Sequence, residues 1–527
     1  MKDIKVLIIG AGPAGLATAI RIKQKLNKEK IDESVVVIDK AFKPGYHNLS
    51  GAIFESDCLD ELIPGWKEES DSFINDMVEI KRDEMYFLTL SSAIKIPHFI
   101  IPPPMHREGN HAISVGKLVN WLSRKATNEG VEIYSGFSAK DILMNDNCKV
   151  LGVKLIDLGI DKTGGEKSNY LPGDVIKANI TVFADGSRGS LSLKLTDLIG
   201  GGLNSQIYSV GIKQLIKLSD NNLFGSNHSI HTLGFPNRKD VYGGGFIYNM
   251  GDNLIALGLI MGLDWKYQDL DPQQELEQYK SHKFISRFIE GGEVISCGAK
   301  TLPEGGYYSI PELVTDGALI VGDAAGFTNT EKLKGLHYAI RSGIYAADTI
   351  FEAILADDYS KTKLQRYKQL LKNKVFDELY KARNFRQSFK SGIYFGIPLA
   401  IIQNLIPFRL KLREDYLGMK RGIKLNRKYI GLDKTSFVNL SSTKHKEDEW
   451  PHVRLKDTDV CLKCCTEEYG NPCVYFCPGG VYSMIDKETV LTPSNCLHDC
   501  LCVTKCPYQN IIWDSPEGGE GPRYKNM

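Results

Sequence analysis

The sequence predicts an α/β protein of several domains, and three observations support this prediction. At 527 residues the chain is too long for one ordinary core, so we expect several domains that share interfaces. Short apolar strands alternate with amphipathic helices over residues 1–150, which indicates a βαβ core. A glycine-punctuated β pattern follows over 206–299, and nine of the twelve cysteines lie after residue 460.

Apolar periodicity defines the elements of the βαβ core. Residues 317–347 again show a sequence pattern typical of nucleotide-binding folds. The mostly polar stretch 436–449 is expected to be a linker. The pattern predicts strands over 2–9, 34–39 and 131–134 and helices over 14–26 and 115–128.

Composition excludes some classes of function. Hydrophobic residues make up 42% of the chain and charged residues 24%, which is the balance of a folded globular protein. The net charge is +1, so there is no general reason to expect a nucleic-acid partner. No signal or transit peptide precedes the first strand, so we expect the chain to work in the compartment where it is made.

A glycine turn with Gly10, Gly12 and Gly15 follows the first strand. Gly10 permits the turn, Gly12 lets the backbone approach a pyrophosphate, and Gly15 lets the helix pack close to the strand. The helix N-terminus then faces the phosphates. Asp39 ends the next strand, 24 residues after Gly15, where its carboxylate can bind ribose hydroxyls. The turn therefore predicts dinucleotide binding.

Two further motifs indicate which dinucleotide is bound. The apolar strand over 316–321 runs into Gly322 and Asp323. This stretch resembles the second flavin-contacting motif of the glutathione-reductase-like FAD enzymes. Asp185 and Gly186 resemble the Asp-Gly motif of flavin hydroxylases. Each could be a simple surface turn, but their order after the first glycine turn favours FAD.

The late cysteines form two runs that resemble ferredoxin motifs, and each run ends in Cys-Pro. Thiolates three residues apart, with a more distant Cys-Pro, can bind the corners of a cubane cluster, and the distant cysteine usually serves the other run's cluster. A structural zinc site is the alternative, but it needs only four thiolates and does not explain the Cys-Pro endings. The runs are Cys461, Cys464, Cys473 and Cys477, then Cys496, Asp499, Cys502 and Cys506.

With these motifs in place, the chain resembles the electron-transfer flavoprotein–ubiquinone oxidoreductase family over nearly its whole length. The resemblance implies one FAD and one [4Fe–4S] cluster, with electron-transfer flavoprotein as the electron donor. Electrons would pass through these centres to a membrane quinone, ubiquinone or menaquinone, and no side chain would need to act as a catalytic acid or base. The stretches that carry the resemblance are 242–244 with 256–258, 304–311, 334–343, 476–482, 510–513 and 516–522.

The resemblance also implies the fold. We expect a glutathione-reductase-type FAD-binding domain, an interleaved β-rich quinone domain and a C-terminal ferredoxin-like domain. The FAD-binding domain would cover 1–205 and 301–435, and the quinone-binding domain 206–300. A linker over 436–450 would lead to the iron–sulfur domain over 451–527.

Matching the family's cluster motif to this sequence gives Cys477, Cys496 and Cys502 as three ligands. The remaining position is Asp499, with Cys500 next to it. Thiolate is the softer and commoner ligand of iron–sulfur clusters, so Cys500 is preferred and Asp499 is the alternative. The other cysteines of the two runs could hold a second cluster, but the resemblance implies only one.

The resemblance places Gly335 in the FAD site and gives the backbone of Gly243 and Gly244 a role in quinone binding. Without it, a tight sheet packing would explain the latter two glycines. Residues 392–408 carry no charge and are flanked by basic residues. This pattern indicates a helix on the membrane surface, with a buried core helix as the alternative. We therefore expect a peripheral protein on the cytoplasmic face of a prokaryotic inner membrane.

Two other functions share parts of this pattern. An FAD-dependent reductase of prenyl (geranylgeranyl) lipids would have the same flavin motifs and an apolar pocket, and its cysteine-rich tail would be only structural. A non-catalytic, electron-carrying scaffold would dock partners without reducing a quinone. A quinone-reduction assay with reduced electron-transfer flavoprotein distinguishes all three.

Overall fold

The structure is a computed structural model. Most of the segment 392–408, predicted to lie on the membrane, falls outside the residues that it describes. The described residues are 4–49, 51, 53–220, 222–389, 392, 396, 399–400, 402, 408–486 and 488–527.

Strands, helices and short 3₁₀ turns follow one another along the described chain, and several strands often come in succession. In chain order the strands are β1 (Ile4–Ile9), β2 (Val35–Asp39), β3 (Ile53–Phe54), β4 (Val78–Glu79), β5 (Arg82–Leu88), β6 (Ala93–Ile96), β7 (His111–Ala112), β8 (Glu132–Ser135), β9 (Ala139–Met144), β10 (Val150–Leu155), β11 (Leu158–Ile160), β12 (Glu166–Leu171), β13 (Val175–Phe183), β14 (Tyr208–Lys217), β15 (His228–Gly234), β16 (Gly243–Asn249), β17 (Leu254–Gly262), β18 (Glu293–Pro303), β19 (Val314–Thr315), β20 (Ala318–Ile320), β21 (Val453–Leu455), β22 (Tyr482–Ile485), β23 (Glu488–Leu491) and β24 (Ile511–Trp513). The helices of five or more residues are Pro13–Glu29, Asp57–Leu62, Val115–Asn128, Ser190–Ile199, Pro272–Ser281, Lys283–Ile289, Leu336–Ala356, Arg366–Leu371, Lys372–Phe376, Asp377–Lys381, Lys434–Leu440, Val460–Cys465 and Leu501–Lys505.

The first sheet has the order β19-β20-β13-β1-β2-β8, and β10 and β9 extend it from β13. The pairs from β20 to β8 are parallel. In β1 the run from Val6 to Ile9 is buried, as expected for a parallel strand covered on both faces. The helices Pro13–Glu29 and Leu336–Ala356 pack against each other on this sheet. The predicted α/β flavin-binding fold is confirmed, with both elements of the glycine turn within a residue or two of their expected starts.

The second sheet has the order β18-β14-β17-β16-β15-β5-β6. Its first five strands come from the predicted β-rich region. The last two, β5 and β6, come from residues before 100 and were not predicted to belong to it. Strand β5 pairs in parallel with β15 over seven residues, so the two regions of sequence form one sheet. Local patterns do not encode such a pairing between distant strands.

The cysteine-rich end of the chain holds short elements only. Two strand pairs, β21 with β24 and β22 with β23, flank the helices around the cysteines. The helix Lys434–Leu440 starts just before the stretch that was expected to be a linker. The predicted division into domains at residues 205, 300, 435 and 450 stays a prediction.

Candidate functional site

The first glycine turn leaves open space at the start of the N-terminal helix. Gly10 has a φ of 109°, and a Cβ there would overlap the carbonyl of Ala184. A Cβ on Gly15 would overlap the carbonyl oxygen of Gly10, so the helix packs closely on its strand. A Cβ on Gly12 would meet only Asn48 Nδ2, at 3.8 Å. The turn therefore keeps free the volume that a pyrophosphate needs next to the helix N-terminus.

Asp39 ends β2, as expected, and lines a cavity beside the glycine turn. Its Oδ2 accepts a hydrogen bond from Ala11 N and its Oδ1 accepts one from Ala41 N, both at 2.7 Å. Burial raises the pKa of Asp39, and these two donors oppose that shift. The carboxylate thus fixes the backbone of the turn at the edge of the cavity.

Asp185 and Asp323 line the same cavity. Asp185 Oδ2 accepts hydrogen bonds from Leu191 N at 3.1 Å and Ser192 N at 3.0 Å. Its Oδ1 is buried without a hydrogen-bond partner. Burial raises the pKa of Asp323 to about 6. Ribose and ribityl hydroxyls would supply the donors that these carboxylates lack, so the residues fit an FAD.

Gly186 and Gly322 have positive φ angles of 86° and 67°. A Cβ on Gly186 would meet no atom within 4 Å, whereas one on Gly322 would lie 2.8 Å from Ala14 Cβ. Gly186 lines the cavity, and Gly322 packs the second motif against the N-terminal helix behind the cavity wall. The two glycines therefore have different roles, one in the site and one in its support.

The helix Leu336–Ala356 begins at the cavity, directly after Gly335. Its first N–H groups and its dipole favour a negatively charged or polarised ligand group there. Next to it, Lys334 Nζ lies 2.9 Å from Glu55 Oε1, and His337 Nε2 lies 3.4 Å from Glu55 Oε2. Burial lowers the pKa of Lys334 to about 8. His337 and Lys334 hold the pKa of Glu55 at about 2 although burial opposes this.

All these lining residues share one cavity of about 800 Å³. Cationic residues that the sequence analysis did not select also line it, among them Lys40, Arg188 and Lys300. Lys300 Nζ donates a hydrogen bond to the His498 carbonyl at 3.2 Å, which joins β18 to the cysteine-rich region at the cavity wall. Cations at this place offset the charge of a dinucleotide. Lys40, next to Asp39, and Arg188, two residues after Gly186, lie beside motif residues, whereas Lys300 carries no such signal in the sequence.

Gly243 and Gly244 begin β16 and line the same cavity. A Cβ on Gly243 would overlap the carbonyl of Ile260, and one on Gly244 would overlap the carbonyl of Thr232. Close strand packing therefore requires both glycines whether or not a ligand binds. Because both also line the cavity, their backbone is accessible to a molecule inside it.

Three predicted cluster ligands, Cys477, Cys496 and Cys502, are buried free thiols in one part of the core. Burial raises the pKa of each, and among neighbouring charges Asp499 has the largest further effect on all three. Asp499 is itself buried, which raises its pKa. Three thiolates and one carboxylate would repel one another at this place unless a positively charged metal centre lay between them. The residues therefore fit an iron–sulfur cluster.

Cys500 lies on the same loop and lines the flavin-side cavity. Burial raises the pKa of its thiol, and the neighbouring charges Lys300, Lys40 and Arg188 act on it before Asp499 does. Asp499 lines the same cavity, but its charge, more than that of Cys500, raises the pKa of the three cysteine thiols.

A group of buried histidines lies behind the cluster loop, and the sequence analysis did not select it. His445 Nε2 lies 3.0 Å from the carbonyl oxygen of Cys496. The ring of His445 stacks on that of His452 at 4.8 Å, and His498 packs against both. Such groups orient the backbone around a metal site. His445 and His452 are seven residues apart and His498 is distant from both in sequence, so they form no spacing motif and only the structure brings them together.

Comparisons with known proteins agree on one family. Residues 208–302 match the family model described as ETF-QO, ubiquinone-binding, and residues 428–525 match that of the electron transfer flavoprotein-ubiquinone oxidoreductase 4Fe-4S domain. Over 99% of its length the chain is 37% identical to the probable mitochondrial electron transfer flavoprotein-ubiquinone oxidoreductase of Schizosaccharomyces pombe, and it covers 86% of that protein. The chain belongs to the electron transfer flavoprotein-ubiquinone oxidoreductase family. The Pseudomonas aeruginosa member is 35% identical, with 100% of this chain and 99% of the relative covered.

Solved structures share the flavin-binding fold of this family member. A geranylgeranyl bacteriochlorophyll reductase-like protein of Thermoplasma acidophilum matches with a TM-score of 0.57 and 18% identity, covering 77% of this chain and 97% of that one. A flavin-dependent brominase matches with a TM-score of 0.53 and 17% identity, covering 77% and 91%. At these identities the likeness shows the fold alone. With the 4Fe-4S domain, it supports the predicted cofactors, FAD and a [4Fe–4S] cluster.

The open space at Gly12 makes a specific prediction for this family member. Gly12→Val should fold normally, because the new side chain meets no protein atom closely, but it should lose FAD, because the methyl groups fill the pyrophosphate volume. Gly15→Val is the matched control and should instead destabilise the fold, since its Cβ overlaps a backbone oxygen. Flavin absorbance per chain and a thermal melt measure the two effects. A folded Gly12→Val protein with full FAD would contradict the assignment.

Proposed function

We propose that this chain accepts electrons from reduced electron transfer flavoprotein and reduces a membrane quinone, ubiquinone or menaquinone. One observation carries the proposal. Residues of the flavin motifs, of the cluster loop and of the matched ubiquinone-binding region all line a single cavity. Gly12, Asp499 and Gly244 represent these three sets. A common cavity brings the electron donor and acceptor sites into the proximity that electron transfer needs.

When bound, FAD supplies an acceptor of one or two electrons and the cluster supplies a carrier of one electron. The role of the chain's own residues is to bind and orient these groups. Gly10, Gly12 and the first turn of the N-terminal helix would hold the pyrophosphate, and Asp39 fixes that turn. Asp185 and Asp323 would accept hydrogen bonds from the sugar and ribityl hydroxyls. No side chain has to move a proton at a reacting carbon.

For the quinone end, we propose that the backbone of Gly243 and Gly244 contacts the head group. Tyr242, Phe385 and Phe389 line the cavity near these glycines and exclude water from it. A prenyl-lipid reductase would use the same apolar lining. It would leave a whole 4Fe-4S domain without a redox role, so quinone reduction is the better-supported function.

An assay with purified protein tests the proposal. Reduced electron transfer flavoprotein is mixed with the enzyme and with short-chain ubiquinone or menaquinone, and quinol is measured. The proposal expects quinol only when donor, enzyme and quinone are all present. Reduction of the enzyme by the flavoprotein without quinol would favour a scaffold. Reduction of a geranylgeranyl lipid in place of quinone would favour the other enzyme.

We propose that Asp499, rather than Cys500, completes the cluster's ligand set with Cys477, Cys496 and Cys502. The support is the position of each side chain. Asp499 is the leading charged neighbour of all three cysteines, whereas the leading neighbours of Cys500 are the cavity's cations. Asp499 Oδ1 accepts a hydrogen bond from the next helix, which leaves its second oxygen for iron. A carboxylate can replace one thiolate where the remaining three hold the cluster.

Single substitutions separate Asp499 from Cys500. Asp499→Ala should lose about four iron atoms per chain and the corresponding EPR signal, and Cys500→Ala should keep both. Asp499→Cys should keep the cluster but shift its reduction potential, since ligand type and net charge set that potential. FAD content serves as the folding control. Loss of the cluster in Cys500→Ala with retention in Asp499→Ala would reverse the assignment.

We further propose peripheral attachment at the cytoplasmic face of a prokaryotic inner membrane, with the bacterial relative as support. Among the described residues, no helix has both the length and the apolar character to cross a bilayer. Phe99 and Ile100 are 87% and 59% exposed, and Ile402 is 49% exposed. Ile100 and Ala400 line the cavity, so these apolar segments border its opening. Apolar side chains of this kind insert into the interfacial layer of a membrane.

Serine substitutions test this attachment. Replacing Phe99, Ile100 and Ile402 together removes apolar area worth about 1.5–3 kcal/mol for each side chain that the membrane fully buries. The triple variant should no longer bind to vesicles of bacterial lipid but should keep its FAD. Leu171→Ser with Leu355→Ser, which changes exposed residues outside the cavity lining, is the matched control and should stay bound. Equal vesicle binding of both variants would contradict the proposed surface.

A further inference from the structure

A second group of four cysteines lies close to the proposed cluster site and has no role in the function proposed above. Cys461, Cys465, Cys473 and Cys506 are each between 5% and 8% exposed. All four are free thiols. A cluster of buried free thiols is typical of a metal-binding site.

Local structure turns these thiols towards each other. Cys461 and Cys465 are four residues apart in the helical segment Val460–Cys465, so they lie on one face. Asn510 links two of the group, because its Nδ2 donates to Cys461 Sγ at 3.2 Å and its backbone N donates to Cys506 Sγ at 3.4 Å. Hydrogen bonds to ligand sulfurs are typical of iron–sulfur sites, where they tune the potential.

Cys473 completes the group from the start of the short helix Cys473–Phe476. That helix packs against Leu501–Lys505, which ends directly before Cys506, and Cys473 and Cys506 lie in one buried core cluster. The four thiols are therefore buried near one another, and a bound cation there would stabilise their thiolates.

The ligand set differs from the one that spacing alone suggests. The sequence pattern selects Cys464, three residues after Cys461, but the structure leaves Cys464 exposed and buries Cys465. The physical reason is that Val460–Cys465 is a π-helical segment, whose turn is wider than an α-helical turn, so the residue four positions on lies nearer to the same face than the residue three positions on.

Distances between sulfurs distinguish a cubane cluster from zinc. A tetrahedral zinc site with Zn–S bonds of about 2.3 Å holds its sulfurs about 3.8 Å apart. In the described part of the chain, the groups of three ligand atoms within 4.8 Å of one another consist of histidines and carboxylates and include no cysteine. No three of these thiols are therefore as close together as a tetrahedral zinc site requires.

The chain order of the thiols agrees with a pair of clusters. Cys461, Cys465 and Cys473 come from the first run, and the Cys-Pro residue Cys506 comes from the second. The first run in turn contributes its own Cys-Pro residue, Cys477, to the first cluster. In two-cluster ferredoxins, the last cysteine of each run likewise binds the cluster of the other run.

We propose that Cys461, Cys465, Cys473 and Cys506 bind a second [4Fe–4S] cluster that carries one electron at a time. The inference rests on the proposed function and deepens it. None of the four lines the cavity, whereas the loop of the first cluster does. The second cluster therefore lies beyond the first as seen from the flavin. The exposed Cys464 places it near the surface, where a protein donor can deliver electrons.

Iron analysis of the anaerobically purified holoprotein tests this inference. The wild type should hold about eight iron and eight sulfide per FAD, and the reduced protein should show an EPR spectrum broadened by two interacting clusters. Cys465→Ser should hold about four iron and show a simple single-cluster spectrum. Cys464→Ser is the matched control at the adjacent position and should keep all eight. Cys506→Ser provides a second variant if Cys465→Ser does not fold.

The possible outcomes separate this inference from the proposed function. About four iron in the wild type, unchanged in Cys465→Ser, would overturn the second cluster and leave the proposed function intact. One zinc per chain at these thiols would also overturn it. A wild-type protein with no iron would overturn the proposed function as well. Loss of iron in Cys464→Ser but not in Cys465→Ser would overturn the assigned ligand set.

Discussion

The function of this protein depends on how its final residues fasten the cysteine-rich end to the other two parts. The backbone oxygen of Met527 accepts hydrogen bonds from Ser114 Oγ at 2.9 Å and from Gly116 N at 3.1 Å. Tyr524 OH donates to the carbonyl of Ala299 in the second sheet, at 3.1 Å. One short tail thus reaches both the helix Val115–Asn128 of the flavin-binding part and the β-rich sheet. Electron transfer needs fixed short gaps between its centres, and these contacts hold the cysteine-rich end against both other parts.

The same arrangement brings buried charges together. Lys300 and Lys40 from different sheets, with Arg188, surround carboxylates such as Asp185, whose Oδ1 has no hydrogen-bond partner. Leaving a buried polar atom unpaired costs about 1–3 kcal/mol, so the protein alone is not at its most stable here. A bound dinucleotide supplies hydroxyl donors for the carboxylates and negative charge for the cations. The site therefore gains stability from the cofactor for which its glycine turns leave space.

The sequence allowed the flavin-binding fold to be predicted because its signals are local. A glycine turn, a strand and a following acid form one contiguous motif, and helix Val115–Asn128 matches its predicted bounds. What could not be predicted depends on contacts between distant residues. Strand β5 joins a sheet whose other members, apart from β6, lie more than 100 residues later, Lys300 belongs to no motif, and the histidines meet only in the fold. The sequence identified the cysteine-rich region but did not show which cysteines group together, because burial rather than spacing distinguishes Cys465 from Cys464.

Stopped-flow absorbance after mixing the enzyme with reduced electron transfer flavoprotein tests the central claim most directly. The decisive comparison is with Gly518→Leu, because a Cβ on Gly518 would overlap the carbonyl of Gly136 and push the tail away from the flavin-binding part. The wild type should show the flavin and iron–sulfur absorbance changing together. The variant, with both cofactors retained, should show one centre reduced while electron exchange with the other slows at least about tenfold, equal to about 1.4 kcal/mol in the barrier. An unchanged exchange rate in that variant would contradict the claim that tail docking positions the centres.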